Sequence, residues 1–410
     1  MKKFQTKVRL SGHIIDSLTL PKTLDEILEH GCNYEIEEIK VGKNRNDTSS
    51  ALIKISSGSQ KALSSTLQRI LKLGASQIEE KEAALRTATS YGVFPDDFYI
   101  TTNLPTRIMI KEKWLTVKNI CMDSGIKITD DFNHALCIKM GDVKKGDMIV
   151  TGHNGIHLTP MSRMRHSGIF EFMGSTVSPE KSKWLAIKHI AEDLKEVRSA
   201  KNGKILFVCG PAIIHTGARG YLESLILNGY VDIIFAGNGF ATHDIEACLY
   251  GTSLGISLKE GIITKKGHEH HLRAINTIRK TGGIRQAVKK GIIKEGIMHA
   301  CVKTNTDFIL TGSIRDDGPL PEVVSDMKEA QRLLREKFKD VKLCIMIASM
   351  LHSIAAGNLL PASVKTICVD INPEVVTKLS DRGTCQAVGL VTDAELFLRE
   401  LTIHLIKKAD

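Results

Sequence analysis

Five near-continuous apolar segments in the second half of the chain constrain its fold more than any other feature. They are KILFVCG (204–210), VDIIFAG (231–237), DFILTGS (307–313), KLCIMIAS (342–349) and VKTICVD (364–370), and helical stretches separate most of them. Strands that are buried on both faces have this composition, and strands that alternate with helices form parallel sheets covered by helices. The pattern predicts an α/β fold, with a doubly wound, Rossmann-like parallel sheet in a domain over 183–410. Ligands in such folds bind outside the carboxyl ends of the strands.

The residues before this sheet follow two other patterns. Strand-like and helix-like runs alternate in the order β-α-β-β-α at 7–16, 21–31, 34–42, 51–56 and 59–74. This order predicts a small ferredoxin-like α+β module over 1–96. Between 97 and 182, short apolar stretches are separated by turn residues. They predict a β-rich middle domain, a barrel or a sandwich, with a polar linker after it.

Cysteine usage and charge indicate the environment that suits the chain. Nine cysteines stand singly without a CxxC pair, which predicts reduced thiols in a cytoplasmic protein. There are 56 basic and 46 acidic residues, and aromatic residues make up 5%. Because the lysines are scattered and lack stacking aromatics, nucleic acid is disfavoured as a partner. The longest uncharged run, 343–360, contains several polar residues, so we predict no membrane span.

Two loops at the ends of apolar runs combine glycines with polar residues. The first is CGPAIIHTGARG (209–220), whose glycines would let a backbone approach a phosphate, although an ordinary strand-to-helix turn has the same composition. We predict that Cys209 at its start is a packed cysteine rather than a nucleophile. The second is FAGNGFATHDIEACLYG (235–251), which has His243 and Asp244 at a helix start. These residues favour a ligand site, but Asp244 could instead complement the helix dipole.

Two further loops carry carboxylates in positions typical of ligand sites. In LTGSIRDDGPLPEV (310–323), Arg315 could hold a substrate carboxylate, and Asp316 or Asp317 could act as a general base. The alternative is a solvated loop that is held by its own ion pair. In VDINPEVV (369–376), Asp370 ends a strand where a carboxylate accepts hydrogen bonds from an adenosine ribose. A carboxylate there disfavours a 2′-phosphate, so NAD is predicted rather than NADP. The histidines of GHEHHL (267–272) lack a clear ligand spacing, and we predict no metal site.

These loops together resemble a known family. CGPAIIHTGA, AGNGFATHDIEA, TGSIRDDGPLPEV and VDINPEVVTKLSDRGTCQAVGLVTD are similar, in that order, to the archaeal-type ornithine cyclodeaminases and to the C-terminal half of bifunctional arginine dihydrolase/ornithine cyclodeaminases. The first hundred residues resemble the conserved region named after lysine-ketoglutarate reductase/saccharopine dehydrogenase. The resemblance spans essentially the whole chain.

The resemblance implies an NAD-dependent ammonia-lyase that converts L-ornithine to L-proline and ammonia. A hydride would pass from Cα to NAD⁺, the δ-amine would attack the resulting imine, ammonia would leave, and the hydride would return. From this chemistry and the loop positions we assign the base to Asp317, Asp316 or Asp244, the proton shuttle to His243 and the carboxylate clamp to Arg315. The predicted NAD contacts are Asn238, Gly239, Asp317, Met350, Leu351, His352, Asp370, Ile371, Gly389, Leu390 and Asp393.

Two other functions compete with this interpretation. A saccharopine-type amino-acid dehydrogenase would require 2-oxoglutarate and would release NADH. A non-catalytic sensor of NAD or an amino acid, built on the ferredoxin-like module, would bind its ligand without turnover. For the cyclodeaminase we expect L-ornithine as the small-molecule partner and a homodimer or homotetramer, since many dinucleotide-binding enzymes associate in this way.

Overall fold

The computed structural model describes residues 4–12, 14–15, 18–43, 47–77, 82–159, 183–200, 203–258, 267–316, 318–382 and 387–406. These residues form two compact units. One unit comprises the described residues up to 159 together with Asn358–Ser363, and the other comprises the remainder.

The first unit begins with a ferredoxin-like module. Its elements are β1 (Phe4–Gly12), α1 (Thr19–Glu29), β2 (Asn33–Lys40), β3 (Ser49–Ser57), α2 (Gln60–Lys72) and β4 (Ala75–Gln77). The strands form an antiparallel sheet in the order β2-β3-β1-β4, which confirms the predicted module. Buried and half-buried residues alternate along β3. Val8 and Ile53 from the sheet and Ile27 and Ile70 from the helices form its core.

A single seven-stranded sheet follows in the same unit. Its strands are β5 (Ala84–Thr87), β6 (Thr106–Ile110), β7 (Lys113–Lys118), β8 (Gly125–Ile128), β9 (Ala135–Ile138), β10 (Met148–Thr151) and β11 (Ile156–Leu158). They lie in the order β11-β6-β7-β9-β8-β10-β5, and all described pairs except β7–β9 are antiparallel. The β-rich middle region is therefore confirmed. Because β5 pairs with β10, this sheet begins inside the range predicted for the first module, and the exact domain boundaries stay predictions.

The second unit alternates strands and helices. Its elements are α3 (Lys183–Ala200), β12 (Lys204–Cys209), α4 (Ala212–His215), α5 (Arg219–Leu227), β13 (Ile233–Gly237), α6 (Asn238–Tyr250), β14 (Thr252–Ser253), β15 (Ile256–Ser257), α7 (Gly267–Thr281), α8 (Ile284–Lys289), α9 (Ile297–Thr304), β16 (Asp307–Thr311), β17 (Val323–Val324), α10 (Met327–Lys337), β18 (Val341–Ile347), α11 (Leu351–Leu359), β19 (Lys365–Asp370), α12 (Pro373–Arg382), β20 (Ala387–Val391) and α13 (Ala394–Ile406).

Seven of these strands form a parallel sheet in the order β17-β16-β13-β12-β18-β19-β20. Without the two-residue β17, the chain order of the strands is 3-2-1-4-5-6, which is the doubly wound order. The predicted Rossmann-like sheet is therefore confirmed. The strand order reverses between β12 and β18, the point where ligands bind in folds of this class.

The core of the second unit is built from the apolar strand runs. Phe207 in β12, Phe240 in α6 and Phe397 in α13 are almost completely buried in one continuous cluster. Burial of these side chains supplies the main favourable term in folding. Eight cysteines within the described residues are free thiols, as predicted. Among the described residues, no helix is long and apolar enough to cross a membrane.

Candidate active site

The ends of β12 and β18 approach each other closely where the strand order reverses. Gly210 donates its N–H to the carbonyl of Ile347 at 2.9 Å. A Cβ on Gly210 would lie 1.6 Å from the carbonyl oxygen of Ala348, so a side chain cannot be accommodated there. Ala348 itself has a φ of 51°, in the left-handed region. Backbone atoms of the two strands are therefore in close contact at this point, and only a glycine fits there.

His352 lies over the carboxyl ends of the neighbouring strands. Its Nε2 is 3.1 Å from Thr311 Oγ1 at the end of β16, and its Nδ1 is 3.4 Å from Ser349 Oγ. A Cβ on Gly237, the last residue of β13, would lie 3.0 Å from the His352 ring. Burial lowers the pKa of His352, although the nearby charge of Asp316 opposes this effect. His352 is therefore a neutral imidazole at physiological pH, close to the ends of two strands.

The loop after β16 holds the predicted base and clamp. The carboxylate of Asp316 accepts a hydrogen bond from Ser313 N at 2.8 Å, and its charge reaches His352. Arg315 is exposed, and its backbone N–H donates to Ser313 Oγ at 3.2 Å. Asp317 lies outside the described residues. The structure thus brings Asp316 and His352 together, and the catalytic roles of all three loop residues stay predictions.

The start of α6 contacts the same loop. Asn238 is buried, and its Oδ1 accepts the N–H of Leu320 at 3.0 Å. This bond ties the first residue of α6 to the end of the loop after β16. Nothing lies within 4 Å of a Cβ placed on Gly239, so its backbone borders open space. Both residues were predicted to contact NAD, and Gly239 has the accessibility that such a contact requires.

Asp370 ends β19 with a half-buried carboxylate. Its Oδ1 accepts the N–H of Asn372 at 2.9 Å. The neighbouring predicted contacts Ile371, Met350 and Leu351 are exposed for 71%, 45% and 72% of their surface. Exposed apolar side chains beside an acidic strand end are available to a nucleotide, because a base and a ribose need apolar contact and a hydrogen-bond acceptor.

The segment that contains Gly389, Leu390 and Asp393 is only partly a loop. Gly389 and Leu390 belong to β20, and Leu390 packs into the hydrophobic core with 4% exposure. Asp393 follows the strand, and its Oδ1 accepts the N–H groups of Glu395 and Leu396 at the start of α13. These contacts give Leu390 and Asp393 structural roles, and their role in NAD binding stays a prediction.

A second polar group surrounds His243 in α6. His243 Nδ1 lies 3.2 Å from Glu246 Oε2, one helical turn away. The ring of His243 is 4.7 Å from that of His215 in α4 and 4.8 Å from that of His271 in α7, between centroids. One ligand atom each from His243, Glu246 and His271 lie within 4.8 Å of one another, a spacing that a divalent cation would also accept.

Glu246 holds a buried negative charge in this group. Burial raises the pKa of its carboxyl, but hydrogen bonds from His243, from Gly255 N and from Thr252 outweigh that effect and lower the pKa below its usual value. Glu246 is therefore ionised. Sequence reasoning grouped His243 with Glu246 in one polar loop, 235–251, but did not pair the two side chains and missed His215 and His271 as neighbours. The His-x-x-Glu spacing on one helix was the available signal, because residues three apart share a face.

The side chain of Asp244 contacts different elements from those that His243 contacts. Its side chain is fully buried and accepts hydrogen bonds from Arg219 Nε at 2.7 Å, Ile297 N at 3.0 Å and Met298 N at 2.8 Å. Two of these donors are the first amides of α9, so Asp244 caps that helix. This arrangement disfavours the predicted role of Asp244 as the base, because every contact serves to hold elements together.

Cys209 is buried at the end of β12, with 1% exposure. Burial raises the pKa of its thiol well above the usual value, and the neighbouring Cys301 adds to the effect. A protonated thiol is a poor nucleophile. Cys209 is therefore a packing residue, as predicted.

The parallel sheet in the order 3-2-1-4-5-6 and the polar groups at its strand ends define an α/β protein of the Rossmann class. Three family descriptions match consecutive parts of the chain. They are the LOR/SDH bifunctional enzyme conserved region over residues 5–104, the first region of the ArgZ-like arginine dihydrolase C-terminal part over 105–187, and the Rossmann fold of that C-terminal part over 188–401. The chain belongs to the family of archaeal-type ornithine cyclodeaminases and ArgZ-like C-terminal regions.

Individual relatives agree with this assignment. The ornithine cyclodeaminase of Methanothermobacter thermautotrophicus is 48% identical over 403 residues, which cover 98% of both chains. The apo crystal structure of ArgZ, a cyanobacterial arginine dihydrolase, superimposes with a TM-score of 0.85 at 36% identity over 98% of this chain. The ternary complex of AgrE with ornithine and NAD⁺ is 39% identical over 99% of this chain, with a TM-score of 0.53. This chain spans 58% of the length of both ArgZ and AgrE.

Proposed function

We propose that this chain is an ornithine cyclodeaminase that converts L-ornithine to L-proline and ammonia with bound NAD. The observation that carries the proposal is the end-to-end similarity, 48% identity over 98% of both chains, to an ornithine cyclodeaminase. The AgrE complex contains ornithine and NAD⁺ together, and its similarity over 99% of this chain supports the same substrate and cofactor.

The strand ends of the second unit fit NAD. The Asp370 carboxylate accepts one backbone N–H and has further lone pairs for ribose hydroxyl groups. Gly239 lies at the start of α6, and the space on the side where a Cβ would lie is open to a ligand. When bound, NAD⁺ supplies the acceptor for the hydride of the substrate Cα and later returns that hydride. We assign the adenosine ribose to Asp370 and its surroundings to Ile371, Met350 and Leu351.

Ring closure also needs a carboxylate anchor and a base. We assign the anchor to Arg315, because its side chain is exposed on the loop after β16 and a guanidinium binds a carboxylate at two points. We assign the base to Asp316 or Asp317. Asp316 supports this assignment, because its charge acts on His352 at the strand ends.

The reaction class follows from the fate of the hydride. It leaves Cα and returns to the cyclic imine, so the net change is the loss of ammonia, without accumulation of NADH. We therefore propose an ammonia-lyase. A saccharopine-type dehydrogenase would differ in two ways, because it would consume 2-oxoglutarate and release NADH.

The test is to incubate the purified full chain with L-ornithine and to assay proline and ammonia together, with and without added NAD⁺. Equal amounts of both products without a rise in absorbance at the NADH band would support the cyclodeaminase. NADH formation that depends on 2-oxoglutarate would establish the dehydrogenase instead. Binding of NAD without any product would favour the sensor.

Two variants test the assigned residues. Asp370→Ala should lose bound NAD, whereas Asp326→Ala, which removes an exposed carboxylate that caps α10, should retain it. Full retention of NAD by Asp370→Ala would remove the ribose assignment. Asp317→Asn should keep NAD and lose turnover, and near-normal proline formation by this variant would show that the base lies elsewhere.

We also propose that the protein is cytoplasmic and forms a homodimer or homotetramer. Free cysteines among the described residues support a reducing environment. Light scattering coupled to size-exclusion chromatography would give the oligomeric state, and a monomer at micromolar concentration would contradict this part of the proposal.

A further inference from the structure

The polar group around His243 is held together by hydrogen bonds that converge on the carboxylate of Glu246. Glu246 Oε1 accepts hydrogen bonds from Thr252 Oγ1 at 2.9 Å and Gly255 N at 3.0 Å. Its Oε2 lies 3.3 Å from Leu254 N and 3.2 Å from His243 Nδ1. The carboxylate is fully buried, and this set of donors keeps it charged in the interior. One of the donors is an imidazole, which is the only one of them that can also give up a proton.

This pairing fixes the orientation of His243. A carboxylate at Nδ1 holds the imidazole in one rotamer and one tautomer. Nε2 is then the ring atom that exchanges a proton with a reactant. His243 has 7% exposure, so the pair is shielded from bulk water, which strengthens the electrostatic interaction between the two groups.

His215 has a neutral hydrogen-bond partner where His243 has a charged one. Its Nδ1 lies 2.7 Å from Ser253 Oγ, a neutral hydroxyl partner. Burial lowers the pKa of His215 and the charge of His243 lowers it further, although Glu246 opposes this effect. A neutral imidazole that donates Nδ1–H to Ser253 carries its lone pair on Nε2. The two adjacent imidazoles thus differ in their Nδ1 partners, which are a carboxylate for His243 and a hydroxyl for His215.

The remaining neighbours complete the surroundings of the pair. His271 lies 4.8 Å from His243 between ring centroids, and His270 Nδ1 is 2.9 Å from Thr252 Oγ1. His215 follows β12 and His243 lies in the helix that follows β13, so both belong to elements that leave the carboxyl ends of adjacent strands. In doubly wound folds this is the side of the sheet where ligands bind.

We propose that His243 and His215 form the proton-transfer pair for ring closure, and that Glu246 is the positioning residue for His243. This inference rests on the proposed function. This pair acts in a different step from the base assigned to the loop after β16. That base would remove the proton from the α-ammonium before the hydride leaves Cα.

The proton balance of ring closure requires such a pair. A bond forms between the δ-nitrogen and Cα, and the bond between Cα and the α-nitrogen breaks, with its electrons leaving on that nitrogen. The δ-ammonium must first lose a proton, which His215 accepts. After the attack the ring nitrogen carries two protons and must lose one, and the α-nitrogen must gain one before it departs as ammonia. His243 Nε2 takes up the first of these protons and donates the second. Ammonia then takes the proton from His215 and leaves as ammonium, so both imidazoles return to their starting states and no oxidant is consumed in these steps.

The test compares two His-x-x-Glu pairs in the same unit. Glu246→Gln removes the charge beside His243 and should lower kcat by about 100-fold, the range of general acid–base effects, with little change in KM. A limb of its pH–kcat profile should move to lower pH, because an imidazolium formed at His243 has lost its counter-charge. The matched control is Glu192→Gln. His189 Nδ1 lies 3.0 Å from Glu192 Oε2 at the same helical spacing, but both side chains are more than half exposed, so activity should not change.

A second variant covers the case in which Glu246→Gln fails to fold. His243→Ala should bind NAD normally and lose turnover, and added imidazole should restore part of that turnover by occupying the space of the missing ring. Imidazole would not rescue a variant whose defect is only structural.

Three results would overturn the inference. The first is a Glu246→Gln variant with wild-type kcat and pH profile in a preparation whose wild type forms proline. The second is stoichiometric zinc in the purified protein that both His243→Ala and His271→Ala lose, because the group would then be a metal site. The third is a folded wild type that forms no proline, in which case the proposed function fails first and this inference fails with it.

Discussion

Replacement of Asp244 should separate a structural carboxylate from a catalytic one. The side chain is fully buried and receives three donors, namely Arg219 Nε, Ile297 N and Met298 N. Asp244→Ala removes all three acceptors and leaves the guanidinium, which is only 15% exposed, without its closest counter-charge. Removal of one partner of a buried pair costs about 3–5 kcal/mol, so we expect a loss of about 4 kcal/mol in the free energy of unfolding.

Asp244→Asn should be less severe. The amide keeps one oxygen, which can accept at most part of the three-donor set, so at least one buried donor remains without an acceptor. An unsatisfied buried group costs about 1–3 kcal/mol, and we expect a loss of about 2–3 kcal/mol. Gly296 adds to the constraint, because a Cβ there would lie 2.6 Å from Asp244 Oδ1 and the site has little room to rearrange.

Urea unfolding of the full chain, followed by circular dichroism, measures both losses. Asp326→Ala is the matched control, since Asp326 caps α10 through the N–H groups of Lys328 and Glu329 but is exposed. It should cost only about 1 kcal/mol. An Asp244→Asn variant with wild-type stability and abolished proline formation would refute the reasoning and restore Asp244 as a candidate base.

Three further predictions concern the strand ends. Gly237→Ala should lower kcat or weaken NAD binding without unfolding the protein, because its Cβ would lie 3.0 Å from the His352 ring and displace it; unchanged kinetics and NAD affinity would contradict this placement. Gly210→Ala should give little folded protein, because its Cβ would lie 1.6 Å from a backbone oxygen, and a soluble variant with the wild-type melting temperature would be the contrary result. The pKa of His352 is lowered by folding, so the unfolded state binds a proton at His352 more readily than the folded state does. The free energy of unfolding should therefore fall as the pH drops below about 6.5. The melting temperature of His352→Gln should fall less than that of the wild type between pH 7 and pH 5, and equal falls would show that His352 does not contribute.

The parts of the fold that were predictable share one property, which is that a local pattern sufficed. Apolar runs such as 204–210 and 364–370 predict buried parallel strands because a strand covered on both faces has no polar side. The ferredoxin-like module was equally predictable from the sequence, since its order of elements restricts the sheet to few topologies. The pairing of β5 with β10 was not predictable from the sequence. Ala84–Thr87 is a short strand whose partner lies more than 60 residues away, and no local pattern specifies that partner.

The candidate site was predictable only at the level of loops. Parallel strands align their carboxyl ends, so Thr311 and Gly237 had to be near each other once the sheet was assigned, and His352 follows the next strand that reaches this edge. The role of an individual carboxylate depends instead on which donors surround it. Asp244 and Glu246 are two residues apart in one helix, yet one caps α9 and the other holds an imidazole. Residues two apart point in different directions on a helix, and the tertiary neighbours decide the rest.

The contrast between these two carboxylates also accounts for why α6 is buried along nearly its whole length. A helix with polar residues on several faces usually has a solvated side. In α6, the polar side chains form hydrogen bonds within the protein instead. Asp244 accepts hydrogen bonds from the first turn of α9, and Glu246 binds the β14–β15 hairpin and His243. One helix therefore contributes to the packing of the unit through Asp244 and, in the proposed mechanism, to proton transfer through Glu246. Mutations on the two faces should then separate in effect, with unfolding energy changed by Asp244 and the pH profile of turnover changed by Glu246.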